Sequence, residues 1–224
     1  MKWHLQKEID KLKKQILSLG AMVEERVRIA IQAHEKRDGE LARKIMNADC
    51  EVDAFEVELE EECLKVLALH QPVAVDLRFI SAVIKINNDL ERIGDEAVNI
   101  AERVINISKW PPVTVPFDFR VMAEKTEAML KGSLDAIVNL DADLAYKICL
   151  LDDEVDEINH SIYDKIKEAI SRQPDRVGLL INLLLISRHL ERIADHATNI
   201  AEDVIYMIEG EISRHRKKGA WGRP

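Results

Sequence analysis

Carboxylate pairs spaced four residues apart are the feature of this sequence with the clearest chemical meaning. The pairs are Asp49 and Asp53, Glu91 and Asp95, Asp152 and Asp156, and Glu191 and Asp195. In a helix, a spacing of four places both carboxylates on one face, one turn apart. Carboxylate oxygens are preferred ligands of hard cations. The pattern therefore indicates metal binding.

The chain contains an internal repeat that carries these pairs. Residues 90–105, LERIGDEAVNIAERVI, match residues 190–205, LERIADHATNIAEDVI, at twelve of sixteen positions. A second block, GELARKIMNADCEVD at 39–53, aligns with ADLAYKICLLDDEVD at 142–156. A repeat of roughly 100 residues is too long for a solenoid motif and indicates two similar domains.

The elements that must position the acids are helices. Apolar residues recur three and four apart, as in the face formed by Leu90, Ile93, Ala97, Ile100 and Val104, and no proline interrupts such a segment. The spacing predicts six helices at 3–36, 39–70, 73–108, 118–140, 143–171 and 175–209, with Asp38 as an N-cap. The predicted fold is all-α, with two tandem, sequence-similar three-helix bundles. The predicted divisions are a first bundle at 1–110, a linker at 111–117, a second bundle at 118–210 and a basic flexible tail at 211–224.

The composition excludes several classes of protein. The net charge of −9 argues against nucleic acid as a partner, because nucleic-acid binding needs a concentrated basic face. Three cysteines without a CxxC motif indicate reduced thiols. A charged N-terminus and the lack of a long apolar run predict a cytoplasmic protein without a transmembrane segment.

Folding each half as a hairpin about its Gln-Pro turn brings the acids together. Asp53 and Glu91 are equidistant from Pro72, and so are Asp49 and Asp95. The pairs Asp156 with Glu191 and Asp152 with Asp195 are both centred between Gln173 and Pro174. The sequence thus predicts four converging carboxylates on the outer surface of each bundle, away from the apolar core.

Charged stripes are commonly only the solvated faces of helices, but this arrangement differs. Four like charges at such spacing disfavour helix pairing, and no lysine occupies any of the eight positions. A bound cation turns the repulsion into attraction. Acid and amide oxygens without clustered cysteines favour Mg, Ca, Mn or iron, and four short acids can bridge more than one ion.

Neighbouring residues provide accessory groups. The acid stripes continue through Asn99 and Glu102, and through Asn199 and Glu202. His160 and His196 have no histidine counterpart in the other half and are predicted to be accessory or surface residues. Arg92 and Arg192 are predicted to form surface ion pairs. The Glu-x-x-His motifs of ferritin-like di-iron proteins are missing, which argues against oxygen chemistry.

The duplicated LERIGDEAVNIAE and LERIADHATNIAE stretches, with DCEVD and DDEVD upstream, resemble the PhoU family of phosphate-uptake regulators. The resemblance covers nearly the whole chain. The two copies differ at two notable positions: His189 corresponds to Asp89, and Ala194 corresponds to Gly94.

The resemblance implies two three-helix bundles, each with a surface cluster of metal ions held by the paired acids. By position, the implied ligands are Asp49, Asp53, Glu91, Asp95, Asp152, Asp156, Glu191 and Asp195. Multinuclear sites of iron, zinc, manganese or magnesium are the expected cofactors. The family also implies a homodimer or larger assembly in the cytoplasm or at the inner face of the membrane. Its implied partners are a phosphate-specific ABC transporter ATPase and a sensor histidine kinase, through which it represses phosphate uptake and the starvation response.

Three functions are consistent with these features. The favoured one is a non-enzymatic regulator of the PhoU type. A metal-dependent, all-helical nucleotide phosphohydrolase also holds metal between acidic helices, but it needs basic side chains that grip phosphate, and none is predicted beside the acids. The third is a structural adaptor whose acids stay solvated.

Overall fold

A computed structural model of the protein describes residues 2–111 and 117–210. Seven α-helices and one 3₁₀ turn make up this part of the chain, and it contains no strand. The helices are α1 (Lys2–Lys36), α2 (Gly39–Asn47), α3 (Asp49–His70), α4 (Ala74–Ser108), α5 (Arg120–Asn139), α6 (Ala142–Arg172) and α7 (Val177–Glu209), with the 3₁₀ turn at Pro174–Arg176. The predicted tail at 211–224 and most of the predicted linker, 112–116, lie outside the described residues.

The all-α prediction is confirmed, with one difference in the second helix. The segment predicted as one helix at 39–70 is divided at Ala48, whose φ of −96° and ψ of 6° leave the helical range. The buried Arg26 of α1 donates from Nη2 to the Ala48 carbonyl oxygen at 2.5 Å. That carbonyl is therefore satisfied by a side chain at the point where α2 ends.

The helix ends follow from local chemistry. Asp38 caps α2 as predicted, because its Oδ1 accepts from the backbone N–H groups of Glu40 and Leu41, each at 3.0 Å. Asp141 caps α6 in the same way through Leu144. At the far end of α3, Gln71 takes a left-handed conformation with φ of 45°, and Pro72 follows it.

Each half forms a three-helix bundle around an apolar core. The first bundle packs α1 and the α2–α3 segment against α4, and the second packs α5 and α6 against α7. The predicted core face of α4 is confirmed, because its five apolar residues are all completely buried. Those five are Leu90, Ile93, Ala97, Ile100 and Val104.

The two bundles meet mainly through α4 and α7, which form the most extensive helix–helix contact of the described residues. A smaller contact joins α1 to α5. Both α4 and α7 therefore bury one face in their own bundle and a second face against each other. Among the described residues, no helix combines the length and the apolar character needed to cross a membrane.

The hydrogen bond from Arg26 to the α2–α3 break can be tested by substitution. Arg26→Met keeps much of the side-chain volume but removes the charged donor, and we expect it to lower the free energy of unfolding by about 1.5 to 3 kcal/mol. The matched control is Arg28→Met on the same helix, whose exposed side chain forms an ion pair with the neighbouring Glu25. We expect that variant to leave the free energy of unfolding nearly unchanged, because its charge is exposed to solvent. Urea unfolding followed by circular dichroism measures both; equal losses would contradict the assignment.

Candidate metal centres

The first candidate centre lies between α3 and α4. Asp53 of α3 and Glu91 and Asp95 of α4 each offer a carboxylate oxygen, and these oxygens lie within 4.8 Å of one another. Asp53 and Asp95 are exposed and Glu91 is half-buried. Asp49 begins α3, but its side chain lies outside the described part of the structure.

The second candidate centre lies at the equivalent place between α6 and α7. Asp152 and Asp156 of α6 and Asp195 of α7 bring carboxylate oxygens within 4.8 Å of one another. Glu191 is beside them, since the charges of Asp156 and Asp152 act on its carboxyl group. The structure thus brings together seven of the eight acids predicted from the sequence.

The carboxylates of each cluster repel one another, and their pKa values show it. Burial, followed by the charges of Asp152, Glu191 and Asp156, raises the pKa of Asp195 to about 7. In the first centre, burial and then the charges of neighbouring acids, Asp95 foremost, raise the pKa of Glu91. The negative charge of each cluster therefore has an unfavourable electrostatic free energy, which a bound cation would reduce.

Glu56 is an acid of the first centre that sequence analysis missed. Its charge contributes to the raised pKa of Glu91, and burial together with Glu60 and Asp53 raises its own pKa. The buried Asn87 holds it, donating from Nδ2 to Glu56 Oε1 at 3.0 Å and to the Glu56 carbonyl oxygen at 2.9 Å. The signal was present, because Glu56 follows Asp53 by three residues and so shares its helix face.

The second centre lacks this additional acid. At the offset of 103 that relates the upstream blocks, Asn159 corresponds to Glu56, and at the offset of 100, Ser187 corresponds to Asn87. Ser187 Oγ donates to Asn159 Oδ1 at 2.9 Å. An acid–amide contact in one half is thus replaced by a neutral contact in the other.

Three of the four predicted accessory residues bond to groups outside the clusters. Asn99 donates to Glu96 at 3.4 Å, and Glu102 pairs with Arg103 at 2.9 Å. Asn199 donates to Asp89 of α4 at 3.2 Å, although it also borders the cavity beside Asp152 and Asp195. Glu202 lines a separate cavity of about 530 Å³ together with Glu56.

The histidines and arginines near the clusters divide into two groups. His160 is exposed and lines a cavity with Asp156 and Glu191, while Arg92 donates to the side chain of Asn88 at 3.0 Å. His196 and Arg192 instead reach across to α4 of the other bundle. His196 is buried there against Asp89, so its prediction as a surface residue was wrong. Arg192 Nε lies 3.0 Å from Glu96 Oε1, so its partner is a buried acid, where a surface ion pair had been predicted.

Arg192 also modifies the prediction that no basic side chain lies beside the acids. It lines a cavity of about 450 Å³ with Asp152 and Asp195. Arg188 also acts on the cluster, through the carboxyl group of Glu191, but Arg192 already contacts Glu96. Two such arginines differ from a dedicated set of basic groups that holds a phosphohydrolase substrate.

The donor set of each cluster fits a hard or borderline metal ion. The converging ligand atoms are carboxylate oxygens in both cases, and they are partly exposed to solvent. Oxygen-only sites of this kind suit Mg, Mn, Ca or iron. Carboxylates with pKa values raised by burial and by neighbouring acids gain most from a bound cation, so the electrostatics agree with the geometry.

The repulsion around Asp195 predicts a pH dependence of stability in metal-free protein. The folded pKa of about 7 lies above the ordinary value of 3.8, so the folded state binds more protons than the unfolded state between these pH values. The free energy of unfolding therefore falls as the pH rises from about 4 to about 7. Asp195→Asn removes this contribution. We expect it to raise the Tm of chelator-treated protein by about 2 to 4 °C at pH 8, and by less at pH 5, because solvent screens the partly exposed charge.

The control for this prediction is Asp164→Asn, an exposed acid of α6 outside the cluster. Differential scanning calorimetry of both variants across pH 4 to 8 measures the effect. A gain for Asp195→Asn that does not change with pH would contradict the electrostatic cause.

Comparison with known proteins identifies the family. The PhoU domain family matches residues 16–104 and 119–204. The phosphate-specific transport system accessory protein PhoU homolog of Aquifex aeolicus is 38% identical over 210 residues, which span 94% of this chain and 95% of that protein. The homolog of the same name from Pseudomonas aeruginosa is 34% identical, over 93% of this chain and 86% of that protein.

Solved structures agree with the sequence comparison. The crystal structure of PhoU from Pseudomonas aeruginosa superposes with a TM-score of 0.88 at 33% identity, covering 92% of this chain and 99% of that one. The phosphate transport system regulatory protein PhoU from Streptococcus pneumoniae gives a TM-score of 0.82 at 30% identity, with coverage of 93% and 98%. Two matches to one domain, together with full-length relatives and superposable structures, show that this chain belongs to the PhoU family.

Proposed function

We propose that this protein is a non-enzymatic accessory regulator of phosphate transport. The observation that carries the proposal is the full-length similarity to proteins named as accessory or regulatory proteins of phosphate transport systems. In this role it represses phosphate uptake and phosphate-starvation signalling. Its partners are a phosphate ABC transporter ATPase and a sensor histidine kinase, and it acts in the cytoplasm or at the inner face of the membrane as a homodimer or larger oligomer.

The two acidic clusters are proposed to hold metal ions. Asp53, Glu91 and Asp95 would bind on one bundle, with Glu56 beside them. Asp152, Asp156 and Asp195 would bind on the other, with Glu191 beside them. Bound iron, zinc, manganese or magnesium supplies positive charge at a surface that is otherwise acidic.

Such a surface suits docking of an anionic group. Without metal, the clusters repel phosphate and acidic or phosphorylated side chains. With metal, the same positions attract those groups, because the carboxylates that hold the ions leave one side open to solvent. Metal binding therefore links the acidic helix surfaces to the recognition of a partner or of phosphate itself.

The metal sites are tested by elemental analysis of protein purified without chelator. The variant carries Glu91→Ala, Asp95→Ala, Glu191→Ala and Asp195→Ala. A matched control removes four exposed acids elsewhere on α3 and α6 through Glu58→Ala, Glu61→Ala, Asp164→Ala and Glu168→Ala. We expect at least one ion per cluster in the wild type and in the control, and loss of the ions in the first variant. Equal metal contents in all three proteins would contradict the assignment.

The regulatory role is tested in a strain of the source organism that lacks the chromosomal copy. We expect the wild-type chain and the matched control to restore repression of a phosphate-starvation reporter in phosphate-rich medium. The variant without the four cluster acids is expected to leave the reporter active, because its surface cannot hold metal. A variant that loses its metal but still represses the reporter would separate regulation from the metal centres.

Nucleotide hydrolysis is a second candidate function, favoured by one observation. Arg192 lines the cavity beside Asp152 and Asp195, where it could contact a phosphate group near a bound ion. Incubation with a panel of nucleoside triphosphates in the presence of Mg or Mn, with released phosphate as the readout, tests it. Hydrolysis that is lost in Arg192→Gln supports this function, and no release above buffer removes it.

A further inference from the structure

Two histidine–carboxylate pairs cross the contact between α4 and α7. His196 Nδ1 lies 2.8 Å from Asp89 Oδ1, and His189 Nδ1 lies 2.6 Å from Glu96 Oε2. Because an ionised carboxylate can only accept, the ring N–H groups of α7 are the donors. The four side chains are between 4% and 14% exposed, so both pairs are buried between the bundles.

The two pairs are the same contact formed twice. At the repeat offset of 100, Asp89 corresponds to His189 and Glu96 corresponds to His196. Each pair therefore joins the earlier position in one half, Asp89 or His189, to the later position in the other half, His196 or Glu96. In both pairs α4 supplies the acid and α7 supplies the histidine.

A third polar contact across the helices also pairs unlike groups, with the charges in the opposite direction. Lys85 of α4 lies 3.3 Å from Asp203 of α7, whose side chain is buried. The repeat equivalents of these residues are Leu185 and Arg103. Here α4 supplies the cation and α7 the anion, and the equivalent positions do not carry the same charges.

These contacts discriminate between pairings of the halves. If two α4-type helices met in this register, Asp89 would face Glu96 as one acid against another. Lys85 would likewise face Arg103, with two cations opposed. Buried like charges of this kind strongly oppose association.

Two α7-type helices would be mismatched as well. His189 would face His196, with no carboxylate between them. The buried Asp203 would lie against the apolar Leu185, without the lysine that it has in the native contact.

From this arrangement we propose that the crossed histidine–carboxylate pairs determine which helices can pack together at the α4–α7 interface. They allow α4 of the first half to pack against α7 of the second half, and they prevent two helices of the same type from packing in this way. The partner that the α4 face fits is thus a helix presenting histidines at the two equivalent positions. Buried polar pairs are better suited to such discrimination than to net stabilisation.

The bonds around the pairs support this assignment. Glu96 accepts from His189, Arg192 and Asn99, and Asp89 accepts from His196 and Asn199. Burial alone would raise the pKa of Glu96, but the hydrogen bond and charge of His189, with Arg192 and Asn99, lower it overall. Both supporting residues of α7, Arg192 and Asn199, have identical equivalents in α4, namely Arg92 and Asn99.

This symmetry allows a test in the full chain by exchanging the partners. An acid-only chain carries H189D/H196E, and a histidine-only chain carries D89H/E96H. The exchanged chain carries all four substitutions and so restores an acid opposite each histidine. Thermal unfolding is measured in the presence of chelator, so that metal binding near these positions does not contribute.

We expect each one-sided chain to lose about 10 °C of Tm or more, the acid-only chain most. The exchanged chain should recover at least half of the larger loss, because Arg92 and Asn99 can serve the exchanged acid. An exchanged chain no more stable than the worse one-sided chain would overturn the proposal, and so would one-sided chains as stable as the wild type. If a one-sided chain fails to fold while the exchanged chain folds, the proposal is supported.

Discussion

The fold depends on one packing constraint, which is that α4 and α7 each bury two faces at once. One face enters the apolar core of the helix's own bundle, where residues such as Ile93 and Ile193 are completely buried. The other face packs the two helices on each other. With 3.6 residues per turn, little of the circumference remains, and the acids of the motif occupy it. The cluster acids of α4 and α7 therefore lie on the remaining, partly exposed face, opposite the acids of α3 and α6.

Apolar burial is also what allows like charges to be held together. Several dozen apolar side chains are buried, and each large one contributes about 1.5 to 3 kcal/mol relative to exposure. Repulsion between two partly exposed carboxylates is of the order of 1 kcal/mol when solvent screens it. A bound cation would offset that repulsion, so metal binding to either cluster would also stabilise the folded bundle around it.

The features that sequence analysis predicted correctly depend on local or repeated patterns. The six helical segments, the Asp38 cap and the buried face through Leu90 and Ile100 follow from periodicity and capping rules. The convergence of the acids follows from hairpin symmetry about the Gln-Pro turns, and the structure brings seven of the eight together. Each of these predictions needed only one segment, or two segments joined by a short turn.

The features that it missed depend on contacts between distant segments. The break at Ala48 is associated with Arg26, which is 22 residues away and on another helix. The crossed pairs join residues that are 93 and 107 positions apart. The sequence contained the relevant signal, since positions 89 and 96 are among those where the repeat departs from identity. Assigning a partner to each departure required the register of α4 on α7, which no local rule provides.

The repeated sequences form two bundles with the same helices, and the repeats differ at positions where the two bundles contact each other. If the two halves were identical, a contact such as that between positions 89 and 196, which is formed twice, would place like groups opposite each other. Acids at Asp89 and Glu96 on one side, with histidines at the equivalent positions on the other, replace that repulsion with hydrogen bonds. The same divergence reaches the acidic centres, because Glu56 adds a carboxylate to the first and Asn159 adds none to the second. The surroundings of the two clusters therefore differ at this position, although the paired acids themselves are repeated in both halves.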